Sequence, residues 1–305
     1  MLRAMDSAVA GLRAHQNKLD VIGHNIANVN TFGFKSQSYS FQEAMYQTSS
    51  SSTRGNAGAA ASGGTNAAQY GYGSLTGSIS TDMGSSTPTY VGGLNASING
   101  EGFFVTSADL KTGVSPTNLK GIGVDFTRVG QFNIDGNGYL VDSNGNFVYG
   151  YRPNDVQDYS QGHSANLEAL KIPSATTGAN FGGNPLELKD VKINSLGEVT
   201  GTDKATGQTV SLGKVAVATF QNPEGLTKTG QFYYNAEQND NTGTCSAAEP
   251  GGTTSTLMTG YIEASNVDLA KEFSEMITTQ RGFQANSKII TVSDEILNDL
   301  INMKR

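Results

Sequence analysis

The sequence predicts a mixed α and β chain: long terminal α-helices pairing as a coiled coil, with a central all-β domain. Three observations predict it. Apolar residues recur at helical spacing over the first 30 residues and again over the last 37. The middle is punctuated by Asn-Gly and Asp-Gly dipeptides flanked by alternating apolar residues, the strongest short hairpin signal. The chain is only 36% hydrophobic and holds 38 glycines in 305 residues, below the ~45–50% apolar content of an ordinary globular domain. Much of it is therefore loop, turn, or surface that becomes buried only against a partner.

In the first 30 residues the stripe comprises Leu2, Met5, Val9, Leu12, Leu19, Ile22, Ile26 and Val29, in steps of three, four and seven. The last 37 repeat the pattern more strictly. Leu269, Phe273, Met276, Phe283, Ile290, Leu297 and Ile301 trace an a/d seam, with Gln280, Ser287 and Asp294 as polar insertions that fix register. Asn266 or Ser265 is the expected N-cap. The candidate seam is thus Leu12, Leu19, Ile26 and Val29 on one helix and Phe273, Met276, Phe283, Ile290, Leu297 and Ile301 on the other. Two stripes at opposite ends of one chain pack either as ordinary core or as a coiled coil, within one chain or completed by neighbouring subunits.

Residues 36–93 are expected to form a Gly/Ser-rich linker and β-extension: the run TSSSSTRGNAGAAASGGTN (48–66) is low-complexity, and short β-prone pieces follow. Residues 94–151 with 189–255 make the central β domain. FTRVGQFNIDGNGYLVDSNGNFVYGY (126–151) reads as a three-strand meander, with later strands near 191–193, 198–200, 209–211 and 215–220. Residues 152–188, with three of the seven prolines, read as a surface excursion within that domain. Residues 1–35 with 262–305 make the helical part.

Chemistry-bearing motifs are lacking. The lone Cys245 allows no disulfide within the chain and there is no CxxC for zinc; its default is an idle thiol. Loops starting at Asp135 or Asp142 fail the calcium pattern, with Tyr139 and Phe147 at required ligand or glycine positions. GYGSLTG (71–77) fails the dinucleotide spacing, and GxxxxGK[ST] does not occur. His15 and His24, nine residues apart, fall on opposite helix faces and cannot share a metal, and His163 has no motif partner. The expectation is no enzymatic activity, no cofactor and no metal. A formal net charge of −7 without basic clusters argues against nucleic acid. The absence of an ~18-residue apolar run argues against membrane insertion, and the N-terminus lacks a cleavable signal pattern.

Several segments then resemble one family. LDVIGHNIANVNTFGFKS (19–36) resembles the N-terminal signature of bacterial flagellar rod and hook proteins. INGEGFFVT (98–106) is similar to their Gly-Phe-Phe strand, and residues 126–151 to the meander that follows it. YIEASNVDLAKEFSEMITTQRGFQANSKIITVSDEILNDLINM (261–303) resembles their C-terminal helix throughout. The resemblance implies a self-assembling axial subunit whose terminal helices form an inner tube and whose β-domain forms the outer wall. A repeating head-to-tail contact that does not close generates such a helical tube.

Within the family, EASNVDLAKEF (263–273) and the opening MLRAMDSAVAGLRAHQNKLDVIG look most like hook subunits, the curved universal joint that carries torque and serves as export channel. The alternative is a distal rod subunit, a straight drive shaft, because the 152–188 excursion is too short for the outer domain of larger hooks. The rival of a different class is a secreted β-domain adhesin or glycan binder, weakened by the lack of tryptophan for sugar stacking. The expected partners are further copies in a helical tube, the distal rod protein, the hook cap, the hook–filament junction protein and the flagellar type III export apparatus. The implied location is the extracellular flagellum, reached without a cleaved signal peptide. Phe41 and Met45 resemble the short export-gate motif; otherwise they form a helical turn or pack on the β-domain.

Overall fold

A computed structural model describes residues 2–55, 63–154, 162–173, 186–251 and 255–303. The middle of the low-complexity run (56–62) and most of the expected excursion (155–161 and 174–185) lie outside the described residues. The chain divides into two compact units, one built from Met1–Val29, Ser36–Asp82 and Val267–Arg305, the other from Asn30–Lys35 and Met83–Asn266.

The first unit contains two long helices, α1 (Leu2–Ala27) and α2 (Leu269–Met303). The side-chain amide of Asn28 closes α1 by donating to the His24 carbonyl at 2.9 Å. The cap of α2 comes from a residue other than those expected. Asp268 Oδ1 accepts the amides of Ala270 at 2.9 Å and Lys271 at 3.3 Å, satisfying donors that the first helical turn leaves open. Asn266 and Ser265 lie before this cap, where the chain is not yet helical.

Between the helices, strand Gln37–Glu43 pairs antiparallel with Ser74–Thr81, with an irregularity between Tyr39 and Phe41, and Tyr46–Ser50 pairs with Ala68–Gly71. Small hydroxyls face one another across these exposed segments, Ser38 with Ser80 at 2.8 Å, Ser40 with Ser78 at 2.9 Å and Thr53 with Thr65 at 2.6 Å. The described ends of the low-complexity run are therefore drawn into pairing rather than left as loose linker. Cross-strand hydroxyl pairs supply stabilisation that an apolar face would otherwise give.

The second unit is β-rich. Its main sheet path runs Leu188–Ile193, Glu198–Asp203, Thr209–Val215, Phe147–Tyr151, Phe103–Ser107, Asp125–Thr127, Tyr233–Asn235 and Thr227–Gly230. The segment 126–151 holds four strands, not three: Asp125–Thr127 pairs with Phe103–Ser107, while Phe132–Ile134, Leu140–Asp142 and Phe147–Tyr151 form the meander. Its turns are shaped by carboxylates. Asp135 Oδ1 accepts the amides of Asn137 and Tyr139, and Asp142 Oδ1 those of Asn144 and Asn146.

Two apolar clusters fill the unit, one around Phe103, Val105, Phe126 and Tyr149, the other around Phe104, Phe132, Leu140 and Leu212. Residues 162–173 differ from the surface excursion expected there. Leu167, Ala169, Leu170 and Ile172 are buried, and Glu168–Ala169 pairs with Phe147–Tyr151. Four apolar residues in this short stretch are enough to hold it against the core, which its prolines obscured. Cys245 is buried in the first cluster, where burial pushes the pKa of its thiol up to about 11. The thiol is thus held protonated at neutral pH.

Candidate assembly surface

The helices of the first unit lie side by side and antiparallel. Gly11 of α1 faces Asn286 of α2, His15 faces Gly282, Lys18 pairs with Glu275 at 3.0 Å, and Asn25 reaches Glu272 at 3.0 Å. The buried face of α1 consists of Ala8, Gly11, Ala14, Val21, Ile22 and Asn25. On α2 the buried residues are Thr279 and Ser293. Small and polar residues therefore line much of the contact and let the backbones approach closely.

Asn25 joins two partners to its own helix. Its side chain exchanges hydrogen bonds with the backbone of Gln37, donating to the carbonyl at 2.8 Å and accepting from the amide at 2.9 Å, and it donates to Glu272. Burial raises the Glu272 carboxyl above its usual range, against the Asn25 hydrogen bond that lowers it. The His15 imidazole is shifted down, by burial first and by the nearby Lys18 charge second.

The expected seam residues divide. Leu12, Leu19, Ile26 and Val29 near or on α1, and Met276, Ile290 and Leu297 on α2, are half-buried. Phe273, Phe283 and Ile301 are exposed. The buried positions Thr279 and Ser293 precede the expected seam positions Gln280 and Asp294 by one residue. One residue is ~100° of rotation on a helix. A search for large apolar side chains finds Ile22 but misses Ala8, Gly11, Ala14, Thr279 and Ser293.

Several large apolar side chains of α2 are exposed in the single chain: Phe273, Ile277, Ile289, Val292, Ile296 and Leu300.

Phe41 and Met45 are not on a helix. Phe41 lies in Gln37–Glu43, its ring 5.2 Å from that of His15 and 5.1 Å from that of Tyr39. Met45 follows the strand and is 82% exposed.

In the second unit, three buried charges meet where the two connecting segments join the β-rich part. Glu263 accepts the Arg128 guanidinium in a fork, Nε to Oε2 at 2.7 Å and Nη2 to Oε1 at 3.2 Å, and accepts Lys35 Nζ at 2.8 Å. The Ser86 amide donates to the same carboxylate at 2.9 Å. Arg128 also donates to the carbonyls of Gly100 and Gly102, and Lys35 to that of Gly84. Burial pushes the Glu263 carboxyl up, but the Arg128 and Lys35 charges and hydrogen bonds outweigh it and hold it below the usual range. None of these three residues stood out in the sequence, because a pair 228 residues apart has no local signature.

Residues 5–35 match the family described as "Flagella basal body rod protein", residues 97–201 the "Flagellar hook protein FlgE/F/G D1 domain", and residues 258–303 the "Flagellar basal body rod FlgEFG protein C-terminal". The chain is 40% identical to the flagellar basal-body rod protein FlgG of Bacillus subtilis (strain 168) over 308 residues, covering all of both chains. It is 29% identical to that of Caulobacter vibrioides over 303 residues, 97% of each chain. Against the flagellar hook protein FlgE of Borreliella burgdorferi it is 26% identical over 459 positions, again covering both chains. These relatives are named as parts of the flagellum. With both helices and much of the sheet inside the matched regions, the chain belongs to the bacterial flagellar rod and hook protein family.

Proposed function

We propose that the chain is a subunit of the distal rod, the straight drive shaft of the flagellar basal body, rather than of the hook. The observation that carries this reading is length. The alignment with the Bacillus rod protein spans 308 residues against 305 here, whereas that with the Borreliella hook protein needs 459 positions. The hook relative carries sequence without a counterpart in this chain. The hook-like wording of residues 263–273 weighs less, since the C-terminal family covers rod and hook proteins alike.

In this reading α1 and α2 pair as a coiled coil in an inner tube, and the exposed apolar side chains of α2, among them Phe273, Ile289 and Ile296, are covered by neighbouring copies. Burying them removes apolar surface from water, at roughly 25 cal/mol per Å². The tube contains further copies of the chain, with hook subunits continuing it, and it is reached through the flagellar export apparatus, for which Phe41 and Met45 are candidate contacts. Electron microscopy of basal bodies from a strain lacking the gene tests the assignment. A rod that stops short, with no hook, is expected. A complete rod lacking only its hook would restore the hook reading, and intact flagella would remove both.

A further inference from the structure

The two connectors that meet at Glu263 are held in unequal ways. Tyr261–Glu263 is a strand in its own right, paired antiparallel with Pro88–Tyr90, and the Ala264 amide adds a bond to the Thr87 carbonyl at 3.3 Å. The connector around Lys35, residues 31–36, is not part of a strand. Its Gly33 amide donates to the Glu263 carbonyl at 2.8 Å, the Phe34 carbonyl accepts from the Asn266 amide at 3.4 Å, and Lys35 Nζ reaches the Glu263 carboxylate. Lys228 adds a bond to the Lys35 carbonyl and lies over the Phe34 ring.

We propose that the cluster is a sequential clasp: the C-terminal connector docks first by strand pairing, and its Glu263 then creates the seat that Lys35 fills. Charge supports the order. The Lys35 and Arg128 side chains are 0% and 3% exposed, and without Glu263 two buried cations would share one site. With Glu263 in place, its carboxylate accepts from both cations, while the Gly84 carbonyl takes a second Lys35 hydrogen bond and the Gly100 and Gly102 carbonyls take others from Arg128. Arg128 follows directly on a strand of the main sheet, so its backbone is held by that sheet and not by either connector. A chain synthesised from its N-terminus therefore keeps its first connector undocked until the residues just before α2 have appeared. The inference concerns folding of the single chain and does not depend on the rod assignment.

Hydrogen exchange on the full-length chain tests it. In Glu263→Gln, exchange in segment 31–35 is expected to rise at least about tenfold, with Phe103–Ser107 unchanged. In Lys35→Met, segment 261–263 is expected to stay within about twofold of the parent. Unchanged protection of 31–35 in the first variant, or equal loss at both connectors in the second, would overturn the proposal. Should Glu263→Gln fail to fold, pulse labelling during refolding of the parent chain decides: protection of 261–263 before 31–35 supports the order, and simultaneous or reversed protection refutes it.

Discussion

The imidazole of His15 on α1 sits directly over Gly282 of α2, so close that a Cβ added at 282 would lie 2.6 Å from its Cε1. Glycine inside a helix costs about 1 kcal/mol relative to alanine, and here the lack of space explains it. Gly282→Ala is expected to be neutral to about 2 kcal/mol destabilising, as overpacking of ~1–3 kcal/mol offsets the helical gain. Adding His15→Ala should make the alanine at 282 favourable. Urea unfolding followed by far-UV circular dichroism, run as a double-mutant cycle, measures the coupling.

The buried faces of the helices predict where bulk is tolerated. Ala14→Leu is expected to destabilise the first unit by about 1–3 kcal/mol, because Ala14 is 2% exposed and lies beside Ser74, Leu75 and Thr76. Phe273→Asp, at a side chain that is 50% exposed, is expected to leave the helices of the monomer paired. Under the rod assignment it should instead prevent sedimentation of polymer. Helix protection by hydrogen exchange separates the two effects, and a loss of pairing in Phe273→Asp would return the contact to the larger apolar residues.

Acid should loosen the connectors of the β-rich unit. Glu263 is held below the glutamate value of 4.5, so the unfolded chain takes up its proton first. Its stabilisation is complete above 4.5 and falls as pH drops through the folded value. Glu272, in the other unit, is raised and so acts in the opposite sense, favouring the folded state as it protonates. The measurement must therefore be local. Exchange of segment 31–35 at about pH 6 and about pH 4, corrected for intrinsic rates, should show lower protection at the acid end. Constant protection would contradict the assignment of Glu263 as its anchor.

The hairpin joining Thr227–Gly230 to Tyr233–Asn235 turns through Gln231 and Phe232, with φ of 50° and 72°. Left-handed backbone costs non-glycine residues roughly 1–2 kcal/mol each. Replacing the pair by Asn-Gly, which prefers this turn, is expected to stabilise the unit by about 1 kcal/mol. Thermal unfolding checks this, and a lower Tm would show that the Phe232 side chain contributes more than the strain it imposes.

The helices were legible because periodicity is a local property: α1 and α2 coincide closely with the residues their apolar spacing marked. The Asp135 and Asp142 turns were legible for the same reason, as each carboxylate binds amides only two and four residues on. The face by which the helices meet was not. Ala8, Gly11, Ala14, Thr279 and Ser293 carry little hydrophobic signal, and their burial emerges only when the neighbouring elements stand against them. Glu263 was hidden for a further reason, since its partners Lys35 and Arg128 lie 228 and 135 residues away. The buried stretch 167–172 was masked by the prolines and polar residues around it.

Pro88–Tyr90 pairs with Tyr261–Glu263, and Ala96–Asn99 with Thr256–Thr259, so the chain enters and leaves the β-rich unit through successive paired strands. This arrangement works as a closed doorway. Whatever lies between the two sides of the doorway can grow or shrink, provided the chain returns to the same ladder. Selection can therefore enlarge the β-rich part without redesigning the terminal helices, and a relative aligned over 459 positions while covering all 305 residues here is compatible with a change of that kind.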